Sequence, residues 1–259
     1  MIIEPDSYRI ALWAWMVLAV LVFFVLLRVP APYGRTVRKG WGPRINARLG
    51  WLVMESPAVV FFVAFWCYFR ATGFDGNSLR VSLVFVGIWE AHYIQRGLVY
   101  PFRLRGGRAK MTVSVVVLAM AFNIFNAYFN TAYLFAIRAN LGLEWLYGWR
   151  FIAGCLLFAC GAAINLRCDA ILRRLRRGDS PEYVIPRGFL FNYVSCPNYL
   201  GEIIEWTGWA VLTWSPAGLS FAVWTIANLV PRALHYHKWY RDTFGDYPSG
   251  RKAIIPFLL

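Results

Sequence analysis

Charge is scarce in this chain. Only 15% of its 259 residues are Asp, Glu, Lys or Arg, whereas 59% are hydrophobic. Soluble domains carry about 25% charged residues, so a water-exposed globule is excluded. Histidine is nearly absent: His92, His235 and His237 are all there is. With Asp242, the last two form no known metal-ligand spacing. Cys67, Cys155, Cys160, Cys168 and Cys196 lie mostly in apolar runs without ligand pairing. They read as small buried hydrophobes, and no metal site is expected. No G-x-G-x-x-G, phosphate-loop or nucleophile-elbow pattern occurs, so any nucleotide binds without a Rossmann unit. No Ser/His/Asp or Cys/His nucleophile set stands out either.

What is present is apolar length. Residues 8–27 hold one charge, Arg9, and residues 111–137, 151–166 and 206–230 hold none. A bilayer span needs about 20 mostly apolar residues. The pattern predicts an all-α polytopic membrane protein with seven transmembrane helices, near 8–28, 51–70, 80–99, 111–137, 150–172, 199–214 and 217–240. No separate soluble domain or repeat stands out, so 1–259 reads as a single integral-membrane domain. The leader before the first span is acidic, with Glu4 and Asp6, and has no basic n-region, unlike a removable signal peptide. Basic residues concentrate in alternate loops, 28–48, 96–110, 167–187 and 232–252. The other side receives only Arg9, Arg70, Arg80, Arg138 and Arg150. The positive-inside rule then puts the N-terminus outside and the C-terminus in the cytoplasm. The net charge of +14 reads as orientation and headgroup contact rather than nucleic-acid binding. An anionic soluble cofactor reaching the cytoplasmic side is a further reading.

Polar residues inside such spans are costly and usually face a pocket, a partner or water. Asn198, Glu202 and Glu205 fall at i, i+4 and i+7 and share one helix face. Glu55 is a lone carboxyl in an apolar stretch. Ser56-Pro57 allows it to be a helix N-terminal carboxylate, and equally it reads as a protonated hydrogen-bond donor. Tyr93, Arg96 and Tyr100 share a face near the end of the third span, where an aromatic anchor is the plain alternative. Asn165, Asp169, Arg173 and Arg176 line one face running from an amide to guanidinium groups. That array suits an amide, a ribose and phosphates, and Arg binds phosphate in a fork. Arg232, Tyr236 and Tyr240 share a face of the last span. Asn123, Asn126 and Asn130 read as interhelical hydrogen-bond glue.

These residues resemble the steroid 5α-reductase family. The matching segments are Glu55-Ser56-Pro57, His92-Tyr93 with Arg96 and Tyr100-Pro101-Phe102, and Asn165-Leu166-Arg167-Cys168-Asp169. The resemblance continues through Ile185-Pro186-Arg187-Gly188-Phe189, Asn198-Tyr199-Leu200-Gly201-Glu202-Ile203-Ile204-Glu205-Trp206 and Arg251-Lys252-Ala253-Ile254-Ile255-Pro256-Phe257. It implies a seven-helix enzyme that reduces the Δ4 double bond of 3-oxo-Δ4 steroids such as testosterone or progesterone with NADPH. It assigns Glu55 and Tyr93 to the steroid 3-keto oxygen, and the substrate pocket is expected to include Arg96 and Trp51. Asn165, Asp169, Arg173, Arg176, Tyr183, Asn198, Glu202, Arg232, Tyr236, Tyr240 and Arg251 are expected to hold NADPH, mostly within 150–259. Tyr236 stands where the family often has histidine, so it brings a hydrogen bond but no positive charge. Glu205 is expected to pack helices rather than touch cofactor. A monomer in a bacterial inner membrane is expected, or in the endoplasmic reticulum if the host is eukaryotic. Steroid would enter from the lipid and NADPH from the cytoplasm. The rivals are a membrane reductase of another lipid double bond, an S-adenosylmethionine-dependent membrane methyltransferase, and a transporter.

Overall fold

The computed structural model describes residues 4–32, 40–73, 75–103, 109–138, 140–175 and 183–259. Its helices are α1 (Pro5–Arg28), α2 (Ala47–Ala71), α3 (Leu79–Tyr93), α4 (Tyr100–Arg103), α5 (Val113–Ala132), α6 (Trp149–Leu175), α7 (Pro197–Thr213) and α8 (Pro216–Thr243). A π-helical stretch, Ile94–Val99, joins α3 to α4, and another, Tyr133–Ile137, extends α5. Helix occupies each of the seven expected stretches, and among the described residues five helices are long and apolar enough to cross a membrane: α1, α2, α5 with its extension, α6 and α8. At 17 residues, α7 rises only about 26 Å, short of a full hydrocarbon core. The all-α expectation needs one addition, a short antiparallel ribbon. Its strands are β1 (Arg44–Asn46) and β2 (Lys110–Thr112), with Ile45 opposite Met111.

Local chemistry sets the helix ends. Proline occupies the first turn of α1, α7 and α8, where its missing N–H costs nothing. The Asn46 side chain accepts from the amides of Arg48 and Leu49 and caps α2. Trp214 adopts φ 46°, ψ 48° at the end of α7, and Ser215 then caps α8, so the chain reverses within two residues. Of the two readings open for Glu55, the helix-mouth one falls: Ser56-Pro57 does not open a helix, since α2 begins at Ala47 and Pro57 lies inside it. Pro57 cannot bond the carbonyl of Val53, and the Ser56 hydroxyl takes that carbonyl at 3.4 Å. Glu55 is thereby held two turns into the helix rather than at its mouth.

The closest helix approach is between α6 and α7. A Cβ on Gly161 would meet the Glu205 amide nitrogen at 2.3 Å, and one on Gly201 would meet the Asn165 nitrogen at 2.7 Å. Only glycine permits this backbone-to-backbone contact. It sets Asn165 and Asp169 of α6 beside Asn198 and Glu202 of α7. The core is aromatic. Phe62 stacks on Trp89 at 4.3 Å, and Trp206 meets Phe221 at 4.0 Å. Ile10, Trp13, Val17, Leu21 and Phe24 of α1 stay exposed and form an apolar face suited to lipid.

Candidate functional site

One cavity of about 350 Å³ runs between α2, α3, α5, α6, α7 and α8. At one end stand Glu55, His92, Tyr93, Asn123, Trp206 and Phe221. At the other stand Tyr183, Ser195, Asn228, Arg232, Tyr236 and Tyr240. Asn123 donates its amide to the Met54 carbonyl at 2.7 Å and to Glu55 Oε2 at 3.2 Å. That pair ties the Glu55 carboxyl of α2 to α5. Tyr93 is 3% exposed, packed between Trp89 and Trp206.

Arg96 ties the turn after α3 to α6 and α7. Its Nη1 donates to Asp169 Oδ2 at 3.1 Å, and its Nη2 lies 3.9 Å from Glu202 Oε2. The guanidinium sits over the rings of Trp51 at 4.5 Å and Tyr100 at 4.8 Å, a cation–π clamp. One helical turn away, His92 Nδ1 and Glu205 Oε1 are 2.7 Å apart. The acidic face of α7 is therefore paired rung for rung with α3 and the π-helical turn that follows it: Glu205 with His92, Glu202 with Arg96. Asn165 closes the ladder from α6, donating to the Asn198 carbonyl at 3.1 Å and to Glu202 Oε2 at 3.4 Å. Asp169 and Glu202 share the Arg96 guanidinium and Glu205 faces His92, so each carboxylate of the wall has a partner that can carry positive charge.

The far end is roofed by residues 183–196, and the C-terminal segment straps that roof down. Lys252 N donates to the Tyr193 carbonyl at 2.9 Å, Ser195 N to the Lys252 carbonyl at 2.8 Å and Cys196 N to the Ala253 carbonyl at 3.1 Å. The Ser195 hydroxyl lies 2.6 Å from both His237 Nδ1 and the Tyr247 hydroxyl. Arg251, 4% exposed, donates to the Pro186 carbonyl at 3.2 Å and lies over the Tyr247 ring.

Eleven of the residues singled out from the sequence meet in this cavity: Glu55, Tyr93, Trp51, Arg96, Asp169, Tyr183, Asn198, Glu202, Arg232, Tyr236 and Tyr240. Three are not in its lining. Asn165 is buried behind Glu202, and Arg251 is buried behind the roof. Arg173 lies with its guanidinium 5.9 Å from the Tyr100 ring centroid. Arg176 lies outside the described residues. Glu205 is 2% exposed and spends its carboxylate on His92, consistent with a packing role. The sequence reading missed His92 and Asn123 as wall residues. The signal for His92 is its position one turn before Arg96, and Asn123 links α5 to the Met54 carbonyl, as hydrogen-bond glue would, while also lining the cavity. Among the described residues, no group of three His, Cys, Asp or Glu could hold a metal ion.

Apolar helices enclosing a polar cavity, with paired charges at its waist, define an integral membrane protein with an internal binding site. A family model described as 3-oxo-5-alpha-steroid 4-dehydrogenase matches residues 109–259. The chain is 40% identical over 259 residues to a steroid 5-alpha-reductase of Gossypium hirsutum, covering 98% of both chains. It is 38% identical over 244 residues to a 3-oxo-5-alpha-steroid 4-dehydrogenase 1 of Bos taurus, covering 93% of both. Against the Homo sapiens protein of that name it is 37% identical over 230 residues, covering 87% of this chain and 85% of the other. The chain belongs to the 3-oxo-5-alpha-steroid 4-dehydrogenase family and is an oxidoreductase. These relatives are from a plant and two animals, and the expected bacterial membership finds no support in them.

Proposed function

We propose that this protein reduces the Δ4 double bond of a 3-oxo-Δ4 steroid, testosterone or progesterone among them, with NADPH as reductant. Steroid Δ4 reduction is the family's activity as its members are named. The observation that carries the finer reading is the pairing of Glu55 and Tyr93 at the aromatic end of one cavity whose other end is rich in Asn, Tyr and Arg.

An enone accepts a hydride poorly until its oxygen is polarised. Glu55, as a carboxylic acid, and the Tyr93 hydroxyl donate to the 3-keto oxygen and stabilise the enolate that forms. Removing one such donor costs about 10²–10³ in rate. Asn123 holds the Glu55 carboxyl from Oε2, so Oε1 is the oxygen left to carry the proton toward substrate. Trp206 and Phe221 shield that end from water.

The donor set at the other end fits a phosphorylated dinucleotide. Asn198, Glu202 and Asp169 offer amide and carboxylate partners for the nicotinamide and ribose, and Asn165 supports them from behind by holding Asn198 and Glu202. Arg232, Tyr236, Tyr240 and Tyr183 offer donors for the phosphates, with Arg173, Arg176 and Arg251 supporting them. Tyr236 donates without bringing charge. Bound there, NADPH supplies the hydride that the enone takes up at C5, and a proton completes the reduction at C4.

The bundle spans the membrane seven times as one domain, N-terminus outside and C-terminus in the cytoplasm, and acts as a monomer. Steroid arrives from the lipid and NADPH from the cytoplasm. The test is purified full-length protein given NADPH and testosterone, with products read by mass spectrometry. A 5α-reduced product supports the reading. Absence of any NADPH-dependent conversion of either steroid refutes it.

A further inference from the structure

The reduction just proposed consumes one hydride and one proton, and the groups at the 3-keto oxygen account only for polarisation. The carbon-bound proton needs its own donor. Glu55 and Tyr93 are engaged at the oxygen. Arg96 does not release its proton in proteins. Asp169 and Glu202 are spent on Arg96. Among the described residues, the remaining titratable group at the aromatic end of the cavity is His92.

His92 is built as a donor rather than as filler. Its side chain is 7% exposed and that of Glu205 is 2% exposed, with Nδ1 and Oε1 2.7 Å apart. A carboxylate at Nδ1 orients an imidazole and stabilises its charged form, the role of the acidic member of a catalytic triad. A carboxylate buried this deeply also needs a compensating positive charge, and an imidazolium supplies it. The ring is held edge-on by Trp206, centroids 4.6 Å apart, and by Tyr93 at 5.0 Å. With Nδ1 taken, Nε2 is the nitrogen left for the cavity, beside the Tyr93 that grips the oxygen two bonds from C4.

We propose that His92, held by Glu205, delivers the C4 proton of the reduction. The inference rests on the steroid-reductase reading above. In this step the enolate electron pair forms the C4–H bond as the Nε2–H bond of the imidazolium breaks. The 3-keto carbonyl re-forms, and His92 is left neutral. Glu205 stays a carboxylate throughout, and water returns the proton to His92. Glu205 is thus a positioning residue and His92 a catalytic one.

The test uses full-length protein with testosterone and NADPH, comparing wild type, His92→Gln and Glu205→Gln. General acids typically contribute about 10²–10⁴ in rate, so His92→Gln should lower kcat by that factor while NADPH still binds, as read by protein fluorescence. The groups facing the ring are Glu55, Tyr93, Arg96, Glu202 and Glu205. Wild-type kcat should fall as pH rises and His92 loses its proton. Glu55, needed as an acid, gives a falling limb of its own in every variant that keeps it. His92→Gln should therefore lose only the His92 limb, the one that Glu205→Gln moves, together with the solvent deuterium isotope effect, and added imidazole should restore part of the rate. Glu205→Gln should keep the limb but move it to lower pH, since the neutral amide no longer stabilises the imidazolium. Wild-type kcat in His92→Gln overturns the assignment. So does a loss of rate with the limb that Glu205→Gln moves and the isotope effect intact and no imidazole rescue, which would mark His92 as structural. An inert wild-type protein would instead sink the steroid-reductase reading itself.

Discussion

The α6–α7 seam makes a quantitative test of how the cavity is built. Gly161→Ala would put a methyl carbon 2.3 Å from the Glu205 nitrogen, 2.5 Å from the Gly201 carbonyl oxygen and 2.7 Å from the Glu205 Cα. All three are backbone atoms, so no side chain can swing away. Ordinary contact begins near 3.4 Å, so the two helices must part by about 1 Å in an interior packed as tightly as a crystal. Overpacking of this kind costs about 1–3 kcal/mol. For a chain of this size that is about 2–12 °C in Tm. The same shift stretches the Asn165 bonds to Asn198 and Glu202, now 3.1 and 3.4 Å, beyond useful length. NADPH affinity should therefore fall about tenfold, the equivalent of about 1.4 kcal/mol. Gly87→Ala is the control: nothing lies within 4 Å of its added carbon, and it sits in the exposed face of α3. That variant should match wild type or gain up to about 1 kcal/mol from helix propensity. Thermal unfolding in detergent and fluorescence titration with NADPH read both quantities. A Gly161→Ala protein with wild-type Tm and NADPH affinity would refute the claim that this seam sets the cofactor wall.

Three further outcomes follow from the geometry. Asn123→Ala frees the Glu55 carboxyl and leaves the Met54 carbonyl without its donor, so kcat should drop about tenfold with the NADPH KM unchanged, against a stability loss of about 1–3 kcal/mol. A change confined to the NADPH KM would contradict the link to Glu55. Arg232→Ala should raise the NADPH KM well above any change in the steroid KM, and steady-state kinetics varying each substrate in turn decides it. Arg251→Ala removes the tie from the C-terminal strap to Pro186, so NADPH should dissociate faster from the loosened roof; an unchanged stopped-flow off-rate would place Arg251 outside the site's mechanics.

Much of this was legible in the sequence because membrane spans punish polar residues, so each one present points somewhere. Asn198 and Glu202, Arg232 with Tyr236 and Tyr240, and Tyr93 with Arg96 were grouped by helical spacing, and all of them reach the same cavity. Three things were not legible. Ser56-Pro57 left open whether Glu55 sits at a helix mouth or inside a helix, because an internal proline is tolerated only when something else takes the freed carbonyl, here the Ser56 hydroxyl. The π-helical turn at Ile94–Val99 has no periodic signature, yet it lies between Tyr93 and Tyr100 on the cavity wall. The partners of charged residues were hidden too: spacing told that Glu202 and Glu205 share a face, but only tertiary packing tells that α3 answers them with Arg96 and His92.

The proposed reduction turns on Glu55 polarising the substrate oxygen in a cavity that also takes NADPH. Glu55→Gln keeps the shape of the side chain but supplies a far weaker proton donor. Turnover of testosterone by this variant, measured beside its NADPH affinity, is decisive: NADPH should bind as in wild type while kcat falls at least about a hundredfold. Wild-type turnover by Glu55→Gln would remove Glu55 from the reaction.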